Sequence, residues 1–374
     1  MIAADPNQGG ATWAVLQYLL GFERLGHEVL FIEQCAESDL EPEGEAFVRS
    51  QNASYFTEVM AAHGFEDRSA LLLADTQETV GLPYPRLAEL AASADLLVNI
   101  SGILTDGELT ANIPVRVYLD LDPAFNQFWQ VSGIDMRFGG HTHFVTVGQA
   151  IGSPDCPVPT CGFEWITTVP PVVLERWPRA EHISHDAFTT VGNWRAYGSI
   201  EHEGVQYGQK VHSLRKLIGL PTRTDTRFLL ALTIHPDETR DLEALEENGW
   251  ELVDAATVAG TPPDYQAFIA GSRAELGITK SGYVLSRSGW FSDRSACYLA
   301  SGRPVIAQET GFSRYLPSGE GLLSFQTEDD ALAAVAEIER DYDRHSEAAR
   351  ALAEDHFDSD TVLVRFIERV GSTR

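Results

Sequence analysis

Residues 274–308 read AELGITKSGYVLSRSGWFSDRSACYLASGRPVIAQ. AELGITK and RPVIAQ are apolar runs of strand length, and SDRSACYLASG between them reads as a helix. Apolar strands on either side of a helix build a parallel sheet covered on both faces. Between the first strand and the helix, residues 280–294 hold Lys280, two arginines, two glycines and several hydroxyls. That loop chemistry suits a diphosphate held by charge-assisted hydrogen bonds and free N–H groups. Lys280 is one of only three lysines in the chain, with Lys210 and Lys216.

The alternation continues outward in both directions. Upstream stand a strand from Phe188, a helix around Tyr207–Leu217, the strand 227–234, and the segments DLEALEENG (helix), WELVDA (strand) and DYQAFIAGS (helix). Downstream come the strand GLLSF and a long helical stretch from 329 to 357. Nearer the start, Met1–Ala4 reads as the tail of a first strand whose earlier part is missing. The loop Asp5–Gly10 follows, then a helix AVLQYLLGFERLG capped by Gly26 and a strand at Val29–Ile32. Further parallel strands are expected at 95–102, 115–122 and 144–148. Prolines, charges and histidines interrupt every period from 163 to 187, which is expected to be an interdomain linker. The chain therefore divides into a Rossmann-like domain at 1–162, the linker, and a second α/β domain from 188.

Composition narrows the partners. Fifty-five acidic against 27 basic residues give a net charge of −28, which repels nucleic acid and anionic membranes. No apolar run reaches the roughly 18 residues of a membrane span, and the first residues lack a signal-peptide pattern, so a cytoplasmic protein is expected. Cys35, Cys156, Cys161 and Cys297 form no CxxC pair and have no histidine at zinc spacing, so reduced thiols and no metal site are expected.

Three further motifs carry a family resemblance. Ala300-Ser-Gly-Arg-Pro-Val-Ile, then Glu309-Thr-Gly-Phe, then Gly319-Glu-Gly-Leu-Leu resemble the C-terminal half of the two-domain GT-B glycosyltransferases (glycosyl transferases group 1 type). Gly289-Trp-Phe-Ser resembles a donor loop of related transferases, and the opening glycine loop with LGHEV resembles their N-terminus. The resemblance implies two doubly wound Rossmann-like parallel-sheet domains facing a central cleft. It places the donor domain at 188–358 and a final helix at 359–374 that crosses back to the first domain. It also implies a nucleotide-diphosphate sugar as cosubstrate, with no further cofactor, and a small-molecule or glycan acceptor held by the first domain.

Carried over residue by residue, the donor contacts fall on Gly9 and Gly10, on Gly192, Asn193 and Arg195, on Lys280, Arg287, Ser288, Gly289 and Ser292, and on Glu309, Thr310 and Gly311. Relatives place a ribose-binding glutamate where this chain has Cys297 and another acid where it has Gly289. Asp293, one helical turn before Cys297, is the nearest carboxylate for the ribose, and it also suits a helix N-cap. Departure of the diphosphate leaves an oxocarbenium-like sugar, and Lys280 with Arg195 or Arg287 would offset the leaving charge without a metal. If the anomeric centre inverts, a base must take the acceptor proton, and the candidates are Asp120 and Asp122 in YLDLDP and His141 in GGHTHF. Other readings are a nucleotide-sugar epimerase on the same fold and a non-catalytic nucleotide-sugar binding protein. No dinucleotide fingerprint supports an oxidoreductase.

Overall fold

Strands form where the apolar runs stand, and helices fill the amphipathic intervals. The computed structural model describes residues 1–371. The first half runs α1 (Gly9–Arg24), β1 (Phe31–Cys35), α2 (Gln51–Ala62), β2 (Ser69–Leu73), β3 (Thr79–Gly81), α3 (Tyr84–Ala92) and β4 (Leu96–Ile100). It continues with α4 (Gly107–Thr110), β5 (Val115–Asp120), α5 (Phe125–Val131), β6 (His143–Thr146) and β7 (Trp165–Thr167). β4, β5, β6 and β7 form a parallel sheet, while β1 pairs with β2 in parallel and β3 closes that smaller sheet antiparallel.

The second half begins with β8 (His185–Asn193), the hairpin β9 (Ile200–His202) and β10 (Val205–Tyr207), and α6 (Lys210–Leu214). Then come β11 (Phe228–Thr233), α7 (Thr239–Glu247), β12 (Glu251–Val253), α8 (Ala255–Ala259), α9 (Pro262–Gly271) and β13 (Ser272–Gly277). After α10 (Ser281–Ser286), α11 (Asp293–Ala300), β14 (Val305–Gln308) and β15 (Leu322–Phe325), three helices follow. They are α12 (Glu328–Arg340), α13 (Tyr342–His356) and α14 (Ser359–Gly371). All six large-sheet strands are parallel, in the order β12-β11-β8-β13-β14-β15. Counted within that sheet the order is 3-2-1-4-5-6, the doubly wound arrangement. Its direction reverses between β8 and β13, which opens a crevice at their carboxyl ends.

Four expectations are changed. Met1–Ala4 joins no ladder, because the Ile2, Ala3 and Ala4 amides donate to the buried Glu33 carboxylate of β1 at 3.0, 2.8 and 2.8 Å. The segment 163–187 contains β7 and the start of β8, so the crossing between sheets is shorter than the expected linker. The helix expected from Tyr207 starts at Lys210, and a hairpin precedes it. The long helix breaks at Asp341, whose backbone leaves the helical region (φ −149°, ψ 66°). Residues 372–374 of the expected final segment lie outside the described residues.

The two halves are stitched together away from the sheets. α14 brings Leu363, Phe366 and Val370 into one core with Tyr18 and Phe22 of α1 and with Val117, Leu119 and Val145 of β5 and β6. Ala150 N–H donates to Ser288 O at 2.8 Å, and Gly148 bridges Trp290. Trp13 Nε1 of α1 donates to Pro262 O of α9 at 2.9 Å.

Candidate functional site

The crevice beyond β8 and β13 is a cleft of about 510 Å3, walled on its far side by Asn7–Ala11 at the start of α1. The Gly9, Gly10 and Ala11 amides precede the first intrahelical bond, made by Thr12 N–H to Gln8 O, and so face the cleft as free donors. Gly9 and Gly10 are glycines for a packing reason. A Cβ on Gly9 would lie 2.3 Å from Thr261 O, and one on Gly10 2.8 Å from the Tyr265 ring. The glycines thus allow α1 to dock on the second half as well as to line the cleft.

Three cations converge on the floor. Gly192 (φ +152°) is the penultimate residue of β8, in a conformation that favours glycine, and a Cβ there would stand 2.8 Å from Lys210 Nζ and push the lysine tip aside. Lys210, at the start of α6, is 7% exposed and makes no ion pair among the described residues. Burial lowers its pKa well below the ordinary value, and nearby Arg294 adds to that, while Glu275 opposes it. Arg294 Nε meets Glu275 Oε1 at 2.6 Å and its Nη1 donates to Val191 O at 3.0 Å. Glu275 is fully buried, with Oε2 unpartnered.

Lys280 stands at the N-cap of α10 and also lines the cleft. Its ammonium lies 3.3 and 3.4 Å from the Asp122 carboxylate oxygens of the first half and donates to the Tyr197 hydroxyl. The Tyr197 and Tyr283 hydroxyls both donate to Asp122. Burial lowers the Lys280 pKa while Asp122 raises it in part. Asp293, in the first turn of α11, faces the same cleft, and burial raises its pKa. Cys297 is buried and receives a contact from Gln17 Nε2 at 3.8 Å, so it does not line the cleft. Chemically this is an anion cradle with one adjacent carboxylate for hydroxyl groups. No group of three or more metal-binding side chains stands together among the described residues.

Solved structures share this architecture. Anabaena HepE in complex with UDP-glucose superposes with a TM-score of 0.57 at 15% identity, over 92% of this chain and 99% of that one. An alpha-glucosyltransferase in complex with UDP-glucose and DNA containing an abasic site gives 0.62 at 12%, over 97% and 96%. A glycosyltransferase from Rickettsia africae gives 0.55 at 11%, over 97% and 95%. The chain has the GT-B glycosyltransferase fold. No protein-family profile and no curated protein matches it by sequence.

Within this GT-B frame the expected site residues separate into two groups. Gly9, Gly10, Gly192, Asn193, Lys280, Ser292 and Asp293 line the cleft. The others are placed elsewhere, each for a visible reason. Arg195 is exposed and paired with Glu238. Arg287 is exposed at the left-handed C-cap of α10. The Ser288 carbonyl is taken by Ala150, and a Cβ on Gly289 would lie 2.9 Å from the Ala150 nitrogen, so this loop serves the junction of the two halves. Glu309 accepts from Gly311 N–H at 2.6 Å and Thr310 Oγ1 donates to Trp290 O, which brace that loop from behind.

Among the expected bases, Asp120 is fully buried. It accepts from Asn126 Nδ2 at 2.6 Å, Gln127 Nε2 at 2.8 Å, Thr146 Oγ1 at 2.8 Å and Asp122 N–H at 3.0 Å. It ties the loop after β5 and has no free face for an acceptor. His141 precedes β6, contacts Asn99 and Phe138 O at 3.0 and 3.3 Å, and does not line the cleft. Asp122 alone of the three stands beside Lys280. Sequence reasoning missed Lys210, Arg294, Tyr197 and Tyr283. The rarity of lysine was the one signal for Lys210, and Arg294 lay inside the loop already singled out.

Proposed function

We propose that this chain is a glycosyltransferase that takes a hexose from a nucleotide-diphosphate sugar, with UDP the first candidate nucleotide, and gives it to a small-molecule or glycan acceptor. The observation that carries the reading is the convergence of Lys210, Arg294 and Lys280 on the carboxyl ends of β8 and β13, a floor built for a diphosphate. As the glycosidic bond breaks, negative charge grows on the departing diphosphate, and fixed cations in a partly dehydrated cleft stabilise that charge most strongly. The residues themselves supply this charge, so the reading requires no metal ion. The free amides of α1 would add donors from the opposite wall, and Asp293, which lines the cleft, is the proposed partner of the ribose hydroxyls. Asp122, beside Lys280 at 3.3 and 3.4 Å, is the proposed carboxylate of the acceptor side. The UDP-glucose complexes of fold neighbours at 12–15% identity support the donor class.

The deciding experiment is the melting temperature with UDP, dTDP, GDP, ADP or NAD. A ligand at about 100 times its dissociation constant adds about 2.7 kcal/mol of stability. A shift selective for one nucleoside diphosphate supports the reading and names the nucleotide, whereas no shift with any of them overturns it. With the corresponding nucleotide sugar, NMR then separates transfer from epimerisation, since an epimerase converts the free sugar donor with no acceptor present.

A further inference from the structure

Lys280 has two claims on it. It lines the nucleotide cleft, yet its ammonium is engaged by the acceptor side: Asp122 at 3.3 and 3.4 Å, the Tyr197 hydroxyl, and the Tyr197 ring at 3.7 Å from its centroid. Phe125 and Tyr283 complete the enclosure at 5.1 and 5.3 Å. The Asp122 carboxylate is saturated in turn, since Lys280 and both tyrosine hydroxyls point at it. In this arrangement Asp122 has no capacity left for an acceptor hydroxyl, and Lys280 is drawn toward one carboxylate instead of a diphosphate.

We propose that Asp122 and the donor's diphosphate compete for the Lys280 ammonium, so that donor binding draws Lys280 away and frees Asp122 to take the hydrogen bond of the acceptor hydroxyl. The inference rests on the nucleotide-sugar reading and adds to it an order of addition, donor before acceptor. The physical basis is a difference in charge. A diphosphate carries more than one negative charge, and Lys210 and Arg294 already hold it in place, so a short movement of one side chain exchanges a single carboxylate for a stronger partner. Because such coupling is reciprocal, removing the Asp122 charge must strengthen nucleotide binding, the opposite of what loss of an ordinary site residue does.

Calorimetric titration of the full chain with UDP, and with inorganic pyrophosphate as a nucleoside-free probe, tests this. Asp122→Asn is expected to bind UDP about tenfold more tightly than wild type, within the usual range of coupling between sites. Asp122→Ala must shift affinity in the same direction, which guards against a single poorly folded variant. Lys280→Met is expected to weaken binding about tenfold, and Asp122→Asn added to Lys280→Met is expected to change nothing further. Unchanged or weaker UDP binding by both Asp122 variants overturns the competition while leaving the nucleotide-sugar reading intact. A wild-type protein that binds neither pyrophosphate nor any of UDP, dTDP, GDP and ADP overturns both.

Discussion

Lys210 is a buried charge without an ion-pair partner, and such a charge destabilises a fold unless a ligand completes it. Lys210→Met is therefore expected to raise the free energy of unfolding by about 1–2 kcal/mol while weakening UDP binding by about 10–100-fold. Denaturant titration and calorimetry read the two changes, and a less stable Met variant would contradict the account. Asp120 makes a separate prediction about pH. Burial outweighs its four donors and pushes its pKa up to about 6 from an ordinary 3.8. Between those values the folded chain keeps a proton that the unfolded chain has released, so this residue's contribution to stability falls as pH rises from about 4 to about 6. The loss is about 3 kcal/mol for a shift of that size. Asp120→Asn should flatten that slope, measured as denaturant midpoints at several pH values across the window.

At the scale of elements, the docking of α1 on α8 and α9 depends on Gly9. Alanine is favoured over glycine inside a helix by up to about 1 kcal/mol. A Cβ at Gly9, however, meets the Thr261 and Ala259 carbonyl oxygens at 2.3 and 2.7 Å, and backbone atoms cannot swing aside. The clash decides the sign, so Gly9→Ala is expected to destabilise by about 1–3 kcal/mol. Gly107→Ala, with nothing within 4 Å, is the control and should leave the melting temperature level or slightly higher. Elements were legible where one signal dominated. Strand β11 opens with five apolar residues in a row, the pattern of a strand buried on both faces. The β9–β10 hairpin was not legible, because IEHEGVQY mixes charge with apolar residues and packs on Phe128, distant in sequence, whose ring lies tilted with its centroid 4.2 Å from that of Tyr207. The site followed the same division. Lys280 stood out in a glycine-rich loop after a strand, whereas Lys210 reaches the cleft from beyond that hairpin, and no spacing in the sequence reports such a return. Glu309, Thr310 and Gly311 do not line the cleft: Glu309 and Thr310 hydrogen-bond within their own loop and to Trp290 O, a tertiary contact that no spacing in the sequence reports.

The whole molecule carries a net charge of −28 around a cleft lined by cations. Its ion pairs are mostly exposed and are worth about 0–1 kcal/mol each, so the unbalanced acidic surface controls the response to salt. Raising sodium chloride from about 10 to about 150 mM should raise the melting temperature by screening that repulsion. A falling temperature would mean that the ion pairs dominate. The placing of α14 has another kind of consequence. The first sheet shares its core with Leu363, Phe366 and Val370, so the apolar face that α14 covers remains open while about 200 further residues are synthesised after β7. At about 5–20 residues per second, a ribosome takes on the order of 10–40 s to supply that cover. The first half of this protein is thus the first to be made and the last to be sealed, and a nascent chain paused before residue 359 exposes a face that chaperones recognise.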